Sequence, residues 1–164
     1  MIDGLEQEQD GAGMPGVDPV RRLRVMAAGV RGAMYAEGYI AAPPAAVWSV
    51  AADLEGELPR LVPSVYSFQL VDGSAPRFRA VAAGPLGHRA EFEVLLEAGW
   101  CLMQSELVVG GMAAVAEGEG TRFAVLGGVR RRRLVPIAAV LRAVGAVRVG
   151  RMVERVRRRT ADRS

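Results

Sequence analysis

At 164 residues and 17.5 kDa, with an apolar fraction of 51%, the chain is long enough for one domain built on a single core. Its lone Cys101 excludes an internal disulfide, its single histidine leaves no metal-ligand set, and its longest apolar stretch, Leu134 to Val147, is too short to span a bilayer and contains Arg142. The net charge of +3 conceals two unlike ends: five acidic residues and no basic ones up to Asp18, and twelve arginines against Glu154 and Asp162 from Val129 onward.

All 21 basic residues are arginine, a usage that fits a GC-rich genome and lowers the weight any one guanidinium carries. The acidic start has no basic region followed by an apolar run, so no secretory leader is expected. With one cysteine, the expected compartment is the cytoplasm. No phosphate loop, nucleophile elbow or dinucleotide fingerprint occurs, and no cofactor is expected.

Residues 1–17 are rich in glycine and acid without periodicity and read as a disordered tail. Asp18-Pro19 then offers an N-cap with proline at the first helical position. A short helix or extension is predicted over residues 18–32, with Arg21, Arg22 and Arg24 exposed and Gly29 and Gly32 limiting it. It is either a lid or partner helix or a frayed extension.

The folded domain is expected over residues 33–160. Met34 to Ala41 makes its first strand, which Pro43-Pro44 ends. Pro44 to Ala52 follows as a helix with Val47, Trp48 and Ala51 inward, and Leu54 to Leu61 as a second short helix closed by Pro63.

Strands come next. Tyr66, Phe68 and Leu70 alternate with Ser67 and Gln69 up to a turn at Asp72-Gly73, and Phe78 and Ala80 alternate with Arg77 and Arg79. After Gly84-Pro85-Leu86-Gly87, the residues Ala90, Phe92, Val94 and Leu96 alternate with glutamates. Such alternation predicts a sheet with one dry and one wet face. Placing Phe78 opposite Phe92 sets Arg79 opposite Glu91 and Arg77 opposite Glu93. Cys101 to Val109, Met112 to Glu117 and Thr121 to Leu126 complete the strands, with Gly110-Gly111 and Gly118-Glu119-Gly120 as turns.

The period then becomes helical. From Pro136 to about Arg159, the residues Ala138, Leu141, Gly145, Val149, Met152 and Val156 share one face, and Arg148, Arg151, Arg155 and Arg158 line a separate flank.

The order strand, two small helices, six strands, long helix resembles the helix-grip superfamily of START-like and polyketide cyclase-like (SRPBCC) proteins. IAAPPAAVWSVAADLE (Ile40 to Glu55) looks like that family's first strand and helix. GEGTRFAV (Gly118 to Val125) is similar to the Gly-Thr-Arg turn before its last strand, and a basic amphipathic helix closes the chain. The resemblance covers about Met34 to Arg159. It implies an α+β protein, a curved antiparallel sheet of about seven strands around a long C-terminal helix. The superfamily includes lipid carriers, cyclases and hormone receptors, so the fold does not fix the function.

The expected function is binding of a hydrophobic small molecule, a lipid or polyketide-like metabolite, between the sheet and the last helix. A carrier or sensor is favoured because inward acid–base groups are scarce. The alternative is a cofactor-free polyketide cyclase, aromatase or dehydratase acting on a bound chain. The expected walls are Tyr66, Phe68, Phe78, Phe92, Val94, Met103, Ser105, Leu141, Val149 and Met152.

His88 shares the parity of Ala90 and Phe92; it is either a proton shuttle at the cavity mouth or a hairpin-turn histidine. Arg142 lies within about 40° of Ala138 on a helical wheel, inside the apolar arc. It either anchors an anionic ligand group, or snorkels or pairs with a glutamate such as Glu106. Arg130, Arg131, Arg132 and Arg133 adjoin the closing helix and form either a solvated loop balanced by the acidic tail or a peripheral contact with an anionic membrane. No aromatic residue lies between Gly127 and Ser164 to stack bases, which argues against nucleic acid.

Overall fold

A computed structural model describes the backbone of residues 16–130 and 135–164, and the side chains of residues 16–130 and 149–164. The expected tail over residues 1–17 lies almost wholly outside the described residues. In chain order the elements are α1 (Pro19–Gly29), β1 (Met34–Ile40), α2 (Pro44–Ala51), α3 (Leu58–Leu61), β2 (Ser67–Ser74), β3 (Arg77–Ala83), β4 (Arg89–Glu97), β5 (Trp100–Gln104), β6 (Val108–Glu117), β7 (Gly120–Val129) and α4 (Val135–Asp162). The described strands form one antiparallel sheet of seven, in the order β1-β7-β6-β5-β4-β3-β2. With α4 across its inner face, this is the helix-grip architecture. No helix among the described residues is long and apolar enough to cross a membrane.

Sequence parity sorts the two faces. Phe68, Ala80, Val94, Cys101, Met112, Phe123 and Val125 point inward and meet Val149, Met152, Val153 and Val156 of α4. The outer face over β5, β6 and β7 is also dry, contrary to the expectation of a single dry face: Trp100, Ala113, Ala124 and Leu126 are buried beneath Val20 and Leu23 of α1. Asp18 starts that helix by accepting from the Val20 and Arg21 amides at 2.7 and 3.2 Å. The Arg22 guanidinium lies 4.2 Å over the Trp100 ring, a contact worth about 0.5–1 kcal/mol. Arg24 pairs with Glu37 of β1 at 2.7 Å, and the Tyr35 hydroxyl donates to the same carboxylate.

Glycine explains two misplaced turns. Gly110 and Gly111 sit inside β6, not between strands, and the hairpin falls at Ser105–Leu107. There the Ser105 hydroxyl oxygen accepts from the Leu107 and Val108 amides, at 3.3 and 3.0 Å. A Cβ on Gly111 would lie 2.8 Å from Leu23 Cδ1, so the missing side chain is what lets α1 approach. Gly73 likewise lies within β2, at φ +100° beside a bulge between Leu70 and Asp72, and the chain turns at Ala75-Pro76 instead.

The β3–β4 register differs from the expected one by two residues: Phe78 faces Val94, and Phe92 faces Ala80. Face parity survives such a slip. The physical reason is the room that small Ala80 and Ala82 leave, across which Phe68 and Phe92 meet at 5.7 Å between centroids. Arg79 is therefore opposite Glu93, and it reaches Glu91 diagonally at 3.7 Å. That pair is largely exposed, worth at most about 1 kcal/mol.

Two long-range polar contacts fix the ends of the inner layer. Buried Thr121 at the start of β7 donates to the Ala42 carbonyl at 2.8 Å, closing the β1–α2 corner. Glu57, fully buried ahead of α3, accepts from Arg159 Nε and Nη2 at 2.8 Å each and from Arg163 at 2.7 Å. These hydrogen bonds to Arg159 hold its carboxyl down at about 2, against an ordinary 4.5.

A depressed folded-state value contributes stability above the unfolded value near 4.5, and the contribution is lost as pH falls through about 2. Glu57→Gln is expected to lower unfolding stability at pH 7 by roughly 2–4 kcal/mol. The gap from the parent chain should narrow as urea titrations are moved from pH 7 toward pH 3, and an unchanged gap would dismiss the carboxylate's role.

Candidate functional site: an apolar cavity beneath the last helix

The hollow arises where inward side chains are missing. Gly110 and Gly127 are cross-strand partners on the inner face of β6 and β7. Cβ atoms built there would stand at ordinary contact distance, 3.5 Å, from Met103 Cε and from Val149 Cγ2, and both glycines border the cavity. Elsewhere α4 sits tight: a Cβ on Gly38 of β1 would come within 2.9 Å of Val153 Cγ1. The helix thus presses most closely on β1 and also meets β7 through Val149.

The resulting cavity has a volume of about 280 Å³. That is near the lower end of the ~300–1,000 Å³ usual for small-molecule sites. Phe68, Phe92 and Met103 form one side, Leu58 and Leu61 of α3 an end, and Val149, Met152 and Arg155 of α4 the roof. Among the described residues, Ser64 and Arg155 are the wall's only polar side chains. No described carboxylate, imidazole, thiol or phenol reaches it.

Of the walls expected from sequence, Phe68, Phe92, Met103, Val149 and Met152 border this cavity. Phe78 and Val94 face inward as expected but pack into the core beside it, because the register pairs them with each other. Tyr66 does not belong to the wall: it precedes β2 and is 64% exposed. Ser105 is also corrected, since its hydroxyl is spent on the β5–β6 turn. His88 is exposed and off the wall; its backbone closes the β3–β4 connection by accepting from the Gly84 amide at 2.8 Å. Leu141 and Arg142 lie outside the described side chains.

The helical wheel assigns Arg155 to the basic flank of α4, yet it lines the cavity, half-buried, with Nη1 donating to the Leu61 carbonyl at 2.9 Å. A wheel has no knowledge of α3, so no sequence signal marks this residue. Met34, Met112 and Val125 also join the wall. Their alternation within β1, β6 and β7 is the available clue.

No family model matches the chain, and a search of curated proteins finds no match. Solved structures do match. A protein from Thermus thermophilus is 21% identical, with a TM-score of 0.63 over 80% of this chain and 99% of that one. The Zhui aromatase/cyclase from a Streptomyces species is 15% identical, with a TM-score of 0.59 over 80% and 94%. A START superfamily protein from Mycobacterium smegmatis is 13% identical, with a TM-score of 0.56 over 80% and 99%. Together with the strand order and the closing helix, these likenesses establish the fold as the START-like, polyketide cyclase-like helix grip.

Cys101 lies on the inner face beneath the cavity, and burial pushes its thiol up to about 12. It is expected to resist a disulfide reagent at pH 8 in the folded protein and to react fully once denatured. Rapid modification of the folded chain would show that solvent reaches this layer.

Proposed function

We propose that this chain is a cytoplasmic carrier or sensor that holds a hydrophobic small molecule, a lipid or polyketide-like metabolite, in the cavity beneath α4. The observation that supports this reading is the wall itself: about 280 Å³ lined by aliphatic, Met and Phe side chains, with Ser64 and Arg155 the only described polar ones. Binding needs little more than displaced water there, at about 25 cal/mol per Å² of apolar surface. Cyclisation or dehydration needs groups that give and take protons within hydrogen-bond reach of the substrate. His88, the residue put forward for that task, is exposed and away from the wall. The likeness to an aromatase/cyclase supports the second reading, a cofactor-free cyclase or dehydratase.

Titration with the neutral dye N-phenyl-1-naphthylamine tests the cavity. The parent chain should bind it with enhanced, blue-shifted emission. Gly110→Val, which places branched carbons on the floor, should weaken binding by about tenfold or more at unchanged fold. Equal binding by both, or none by the parent chain, would refute the reading.

A membrane is the proposed partner for loading and release. Arg130 is exposed and its amide donates to the Leu107 carbonyl at 2.7 Å, so a cation adjoins the exposed apolar residues Leu107 and Val108. Apolar tips beside basic charge suit insertion at an anionic lipid surface. Arg131, Arg132 and Arg133 lie outside the described residues. Co-sedimentation with phosphatidylserine-containing vesicles is expected and should fall sharply for Leu107→Asp; vesicles of phosphatidylcholine alone should retain little protein. Indifference to both changes would count against the contact.

A further inference from the structure

We infer that the ligand carries a single anionic head, a carboxylate, which Arg155 receives at the polar end of the cavity. This rests on the cavity reading above. The neighbouring cations of α4 and of the residue just past it are paired: Arg157 and Arg158 with Glu154, Arg159 with Glu57, and Arg163 with Glu57 and Asp53. Arg151 is exposed and water solvates it. Arg155 differs from all of these. It is half-buried on an apolar wall, and among the described residues no carboxylate lies within ion-pair distance of it.

Its one hydrogen bond, from Nη1 to the Leu61 carbonyl at 2.9 Å, fixes the guanidinium plane but neutralises nothing. The remaining N–H donors of that fork have no protein acceptor among the described residues. A guanidinium partly withdrawn from water gains most from a charged acceptor, and a carboxylate meets its fork with two parallel bonds. Ser64, exposed on the wall, marks where this end meets solvent. Among the described residues, the wall over Gly110, Gly127 and Met112 offers only apolar contact. A chain with a carboxylate at one end matches that polarity; a neutral sterol-like body leaves the charge unanswered.

The test compares two probes of equal length, dodecanoate and 1-dodecanol, each displacing N-phenyl-1-naphthylamine from the full-length protein at pH 8. The acid should bind about tenfold more tightly than the alcohol. Arg155→Met keeps an apolar stem of similar reach. It should abolish that preference, so that acid and alcohol bind with the same affinity to within about twofold. Arg155→Lys keeps the charge without the fork and should retain part of the preference, which keeps the question decidable if the Met variant folds poorly. Equal affinities for acid and alcohol in the parent chain, or an undiminished preference in Arg155→Met, would overturn the carboxylate assignment while the cavity stands. Failure of the dye and both probes to bind would overturn the cavity and this inference together.

Discussion

Glu57 is the one fully buried carboxylate among the described residues, and the position of the roof over the cavity follows from it. A buried carboxylate is tolerable only when its lone pairs are filled by charged donors, and here Arg159 in the last turn of α4 and Arg163 just beyond it supply them. Those donors come from a helix more than a hundred residues away, so the pair ties the C-terminal end of α4 to the start of α3. Arg157 adds a bond to the Tyr39 carbonyl and Arg155 one to the Leu61 carbonyl, at 2.8 and 2.9 Å. The described half of the helix is thereby anchored by directional contacts at its end. It need not collapse onto the sheet to be held.

That anchoring gives the sheet's glycines different meanings. At Gly38 the missing Cβ lets Val153 press against β1, and at Gly111 it lets Leu23 press from the other side. At Gly110 and Gly127 a Cβ would meet Met103 Cε and Val149 Cγ2 at an ordinary 3.5 Å, and both glycines border the cavity. The same residue type brings layers together at two positions and borders the cavity at two others. Protein interiors ordinarily close such gaps, because unfilled volume forfeits dispersion contacts. A void that persists over a paired glycine floor is consistent with a site kept for a guest.

Much of this was legible in the chain, and the rest was hidden for identifiable reasons. Alternation in Phe68–Leu70 and Phe92–Leu96, the Pro43-Pro44 break and the long terminal periodicity reveal the helix grip, because local pattern dictates which face is dry. Parity also picks out Phe68, Phe92, Met103, Val149 and Met152, which do border the cavity. Glycine misleads twice, at Gly73 and at Gly110-Gly111, because a residue without a side chain serves a turn, a bulge and a close approach equally well. The Arg22–Trp100 stacking, the Glu57–Arg159 pair and the inward aim of Arg155 all depend on elements far apart in sequence. No window along the chain contains both partners.

The wall's composition also separates what sets affinity from what sets orientation. Aliphatic and aromatic surfaces reward every buried methylene by about 0.8 kcal/mol, with almost no preference for which end enters first. On such a wall alone a guest would slide and invert. Arg155, the one cation of the described wall, changes that in the proposed reading, since reversing the guest would leave the guanidinium unmatched. In the proposed reading, tail length therefore tunes how tightly a ligand is held, and Arg155 decides which way it lies. Orientation by one charge is enough for transport, because a carried molecule has only to enter and leave by its polar end. A reaction asks for several groups aimed at one bond, and the described wall provides no such group beyond Ser64 and Arg155.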